Sequence, residues 1–138
     1  GHLIDAMTRA HLDHTRTAIM AGQRPDGGGE QKALSRQALA NPDRESPHRG
    51  FHSGELADGL YRTPIKSTGP TATSTVLPPA SRNAYVGKER KRGVLLLTGN
   101  GAAGEAAANA ARETAKAMAS GAKIVTDPSA VTTEDAGG

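Results

Sequence analysis

An apolar run flows directly into closely spaced glycines at Val94-Leu-Leu-Leu-Thr-Gly-Asn-Gly-Ala-Ala-Gly-Glu-Ala-Ala107, which limits the architectures open to this chain. Residues 94–98 have the make-up of a buried strand, Gly99-Asn100-Gly101 that of a tight turn, and the alanines that follow favour helix. Gly99, Gly101 and Gly104 are spaced as G-x-G-x-x-G, a turn that lets backbone approach a pyrophosphate at a helix N-terminus. On that reading the three glycines bind a dinucleotide, and an acidic residue about 20 positions on holds the ribose. Asp127 is the candidate, 23 positions beyond Gly104. Its place in the chain argues against it. Only 11 residues follow Asp127, too few for another crossover unit of ~30 residues, and no alternating strand–helix pattern comes before. The favoured reading needs no cofactor: a last strand turns into a packing helix, and its alanines allow close approach to a neighbour.

The rest of the chain supports a mixed architecture. Leu3, Met7, Ala10, His14 and Ala18 recur at helical spacing, widened by Ile4, Leu12 and Ile19, so residues 2–21 form a helix that Gly22 stops. Residues 22–53 are a long loop, with a turn at "RPDGGGEQK" and a short helix at "ALSRQALA". "HSGELADGLYRTPIK" predicts one helical turn running into a strand, with Ser53 as its N-cap and Leu56 at N3. Thr71 to Leu77 alternates like a strand until Pro78-Pro79 stops it. "NAYVG" and "VLLLT" read as two further strands joined by a hairpin loop, "KERKRG". The expected fold is therefore α+β, with N-terminal and C-terminal helices packed on a small, mainly antiparallel sheet with long loops. Residues 1–121 form one domain and 122–138 an extended arm.

Composition matters most for what it denies the core. Of 138 residues only Phe51, Tyr61 and Tyr85 are aromatic, and none is tryptophan. Such a chain gains stability by associating with copies or partners. Without cysteine there are no disulfides or thiolate metal sites. No run approaches the ~18 apolar residues of a membrane span, so no membrane role is expected. The chain opens on Gly1 rather than methionine, which reads as a processed or internal start.

Three side-chain groupings invite a chemical role. Arg82, Lys88, Arg90, Lys91 and Arg92 concentrate positive charge on the expected hairpin loop, suited to nucleic-acid phosphates or an acidic protein surface. A solvated loop that blunts a sheet edge is the alternative. His11 and His14 share a helical face, yet no carboxylate joins them at ligand spacing, so a structural role is expected. No serine stands in a G-x-S-x-G elbow and no carboxylate pair suggests acid–base work, so no catalytic residue is expected.

A resemblance adds a function. "AGQRPDGGGEQKALSRQAL" followed by "FHSGELADGL", through Pro25, Asp26, Gly27, Leu34, Ser35, Ser53, Gly54 and Leu56, resembles the phage virion-morphogenesis family of tail-completion and head–tail joining (neck) proteins. It covers roughly residues 2–120. The resemblance implies a non-enzymatic virion subunit, assembled in the host cytoplasm as an oligomeric ring around a DNA passage. Its implied partners are copies of itself, neighbouring connector or tail subunits, and packaged DNA. The basic residues would then face DNA or an adjoining subunit.

Overall fold

The computed structural model describes residues 2–69 and 71–119, with the backbone of 124–125 and 134–135. Asp127 and most of the expected arm lie outside the described residues. The fold is α+β: helices α1 (His2–Met20), α2 (Arg36–Leu39), α3 (Glu55–Gly59), α4 (Asn83–Lys91) and α5 (Ala102–Ala119) accompany short antiparallel strands. The strands are β1 (Tyr61–Arg62), β2 (Lys66–Thr68), β3 (Thr71–Thr73), β4 (Val76–Leu77), β5 (Ile124–Val125) and β6 (Glu134–Asp135). They pair as β1–β4, β2–β3 and β5–β6, so the single sheet expected from sequence is divided into two-stranded ladders.

The long N-terminal helix ends where glycine allows it to. Gly22 has φ 70°, and Gly22 N–H and Gln23 N–H donate back to Ile19 O and Ala18 O, the paired bonds of a Schellman stop. α1 packs against α5 and against β1 and β4. The core is small: Leu12 and Ile19 of α1 meet Leu56, Ala57, Leu60 and Leu95, with Phe51, Val76, Tyr85, Val86 and Leu97 at its margin. The alanine face of α5 thus finds its neighbour within the same chain.

Arginines tie down the loops that so small a core cannot hold. Arg16 donates to Ala57 O and Leu60 O at the end of α3, satisfying carbonyls a helix terminus leaves open. Arg44 reaches Ser46 O, His48 O and Phe51 O, and Arg49 reaches Lys32 O and Ala33 O. Arg62 of β1 binds Asp5 Oδ1 at 2.7 Å, fixing the strand to α1. Charged donors bonded to carbonyls are stronger than neutral pairs, so these four side chains order much of the 22–53 loop and its surroundings.

Three local expectations are corrected. "NAYVG" is not a strand: it opens α4, whose inward residues Tyr85, Val86 and Glu89 recur at helical spacing. "VLLLT" joins no ladder; its Leu96 N–H and C=O both bond the side-chain amide of Gln31, at 2.9 and 2.7 Å. Ser53 does not cap α3. Gly54 does, with φ 84° and no side-chain bond. The expected short helix in "ALSRQALA" is α2, capped by Ser35, whose Oγ accepts from Ala38 N–H.

Strands β1 to β4 form one projecting ribbon. Three residues, 63–65, lie opposite two, 74–75, between its ladders, a bulge at Pro64, which has no N–H to give the ladder. Beyond the bulge every residue of β2 is exposed, as are both ends of β3.

Candidate functional site

The glycine turn and the basic cluster are built by different elements, the turn leading into α5 and the cluster centred on α4. At the turn, the two α5 amides a phosphate would need are already bonded: Ala102 N–H donates to Asp26 O and Ala103 N–H to Pro25 O, each at 3.0 Å. The "RPDGGG" turn therefore plugs the helix N-terminus. Gly101 has φ 60°, and a Cβ there would overlap the Asp26 carbonyl oxygen, while one at Gly99 would stand 2.6 Å from the His11 ring. Those two glycines permit close approach of protein to protein. Gly104 is exposed and faces nothing closer than Gly99 O at 3.5 Å. The turn is built inwardly too: Asp26 accepts from Arg24 at 2.6 Å and from Gly28 N–H at 2.8 Å, and these bonds hold its carboxyl below the ordinary aspartate range, Arg24 contributing most.

His11 and His14 serve this same junction. His14 Nε2–H donates to Pro25 O at 3.0 Å, bringing α1 to the turn that caps α5. Burial, and then the charge of His14, push the His11 pKa below its ordinary 6.5. An unfolded chain then takes up that proton before the folded one does. Its contribution to stability is present above about pH 6.5 and is lost as pH falls toward the folded pKa. Thermal melts should therefore show stability declining as pH drops through this window, with a flatter profile for His11→Gln. Parallel profiles for the two proteins would refute the assignment. Among the described residues, no three His, Asp or Glu side chains gather to hold a metal ion.

The basic residues separate into two kinds. Arg82 is paired with Glu55, which also accepts from Ser81 Oγ at 2.7 Å; both contacts lower the Glu55 pKa, Ser81 first. Arg92 binds Glu89 at 3.0 Å. Lys88, Arg90 and Lys91 are exposed on α4 and have no ion pair among the described residues. The charge is thus carried by a helix rather than by a hairpin loop, and three of the five cations are free to meet a partner.

Sequence reasoning missed the groups that hold this helix. Glu89 is buried, clamped between Arg49 at 2.9 Å and Arg92, although it looks like an interruption in a basic string. Behind α4 lies a cleft of about 530 Å³, with β4 on one side and Leu95 to Gly99 on another; Arg90 stands in its lining. A smaller cavity of about 280 Å³ contains His52, Ser53 and Glu55. Its carboxylate is already engaged by Ser81 and Arg82. No helix among the described residues is long and apolar enough to cross a membrane. Compared with known proteins, the chain matches no family model, no curated protein and no solved structure.

Proposed function

We propose that this chain is a structural, non-enzymatic subunit that joins copies of itself into a ring at the head–tail junction of a phage or phage-like particle. One observation supports the assembly part most: at the ribbon tip β2 and β3 pair with each other and expose nearly every described residue. An isolated two-stranded hairpin is marginal in water, so a neighbouring subunit that covers it would supply the missing burial. Tyr61, 46% exposed, and Ile65, 39% exposed, stand on the same ribbon. A ribbon that docks on a different face of the next copy makes a heterologous contact, which closes into a ring when the rotation permits. The placement at a head–tail junction rests on the resemblance carried by Pro25, Asp26, Gly27, Leu34 and Ser35.

The test is to replace residues 66–73 by a two-residue turn and to follow mass and fold together. The expected result is loss of the oligomer with helical circular dichroism retained. An oligomer that survives the deletion would contradict the ribbon's role. A second reading, contact with nucleic acid, is supported by the free Lys88, Arg90 and Lys91; a strict monomer that retains DNA in a salt-dependent way would favour it.

A further inference from the structure

The sheet expected from sequence lacks a strand in the structure, and the gap has the form of a binding slot. In the β1–β4 ladder, Thr63 N–H donates to Thr75 O at 2.8 Å, and Tyr61 lies opposite Leu77 two positions further on. Antiparallel pairs alternate between bonded and non-bonded, so Val76, opposite Arg62, directs its N–H and C=O away from β1. On the other side of the cleft runs the segment Leu95 to Gly99, which joins no ladder. Gln31 takes both backbone groups of Leu96, while those of Leu97 make no hydrogen bond among the described residues. The cleft of about 530 Å³ is lined by consecutive residues on both sides, Ser74 to Pro78 and Leu95 to Gly99, with Leu60 and Val86 also against it.

We propose that this slot accepts a single extended peptide segment of a partner protein, apolar in its middle and acidic where it passes Arg90. Strand addition obtains affinity from main-chain bonds and specificity from pockets for alternate side chains. Here Val76 and Leu97 offer the main-chain groups, and Leu60, Leu77, Val86 and Leu95 offer apolar wall. Arg90 supplies the sign of the guest's charge: it is exposed and has no ion pair among the described residues, and Lys88 and Lys91 flank it in sequence. The slot does not depend on the ring, since a strictly monomeric chain would bind the same peptide.

The experiment uses the full chain and three labelled hexapeptides read by fluorescence anisotropy. The first is acetyl-Thr-Val-Thr-Val-Thr-Asp-amide, the second has its second valine replaced by proline, and the third ends in lysine. The first should bind, and the other two should bind about tenfold more weakly or worse, a difference of roughly 1.4 kcal/mol. Arg90→Ala, which removes no side-chain bond among the described residues, should reduce binding of the acidic peptide by a similar factor. Amide exchange should slow at Val76 and Leu97 when that peptide is bound. Equal binding of the proline peptide, unchanged binding by Arg90→Ala, or no binding at all would overturn the proposal. So would concentration-dependent protection of Val76 and Leu97 without peptide, which would assign the slot to a second copy of the chain.

Discussion

Replacing Glu89 by alanine is expected to lower stability by about 3–5 kcal/mol, the cost of stripping one partner from a buried ion pair. The Glu89 side chain is 7% exposed and that of Arg49 12%. Without the carboxylate, the Arg49 guanidinium keeps its bonds to Lys32 O and Ala33 O but leaves a buried charge uncompensated. Against a typical total of about 5–15 kcal/mol, that loss leaves the fold marginal. Arg92→Ala is the internal control. Its side chain is 58% exposed, so losing its bond to the same carboxylate should cost only about 0–1 kcal/mol. Urea denaturation of the two variants checks the contrast. Equal losses, or a loss below about 1 kcal/mol for Glu89→Ala, would refute the clamp.

The second large effect lies at the glycine turn, where Gly101→Ala is expected to cost about 3 kcal/mol. A left-handed φ charges a residue with a Cβ about 1 kcal/mol. The Cβ also displaces the Asp26 carbonyl, endangering the bonds from Ala102 and Ala103, each worth about 1 kcal/mol. Gly104→Ala should behave oppositely, neutral or stabilising by up to about 1 kcal/mol, because it removes a helical glycine where a Cβ would meet only Gly99 O, at an ordinary contact distance of 3.5 Å. A phosphate turn would need all three glycines for its ligand, whereas a packing turn distinguishes Gly101 from Gly104. Thermal melts of the two variants separate these cases, and equal destabilisation by both would contradict the packing account.

What could be read from the sequence was what depends on local periodicity and local turns. α1, its stop at Gly22, the short helix α2, the turn of helix before β1, and α5 all follow from residues within a few positions of one another. The failures came where a distant partner decides the structure. α4 was hidden because its buried position is held by Glu89, a charge, and the Arg49 that makes this tolerable lies 40 positions away. Leu95 to Thr98 has strand composition, but the group that satisfies Leu96 is the side chain of Gln31, 65 positions away. The glycine spacing was correctly read as a turn. What occupies its amides, the Pro25–Asp26 backbone, could not be seen in one dimension. For the basic cluster, the concentration of charge is visible in the sequence and its division is not: whether an arginine is spent inside the fold depends on carboxylates and carbonyls remote in sequence.

The central claim is that this chain assembles with copies of itself, and its native mass in solution tests that most directly. Light scattering coupled to size exclusion, run on the full chain over a wide range of concentration, should show a discrete multiple of the 14.2 kDa protomer. A single species at 14.2 kDa at every concentration would contradict the account.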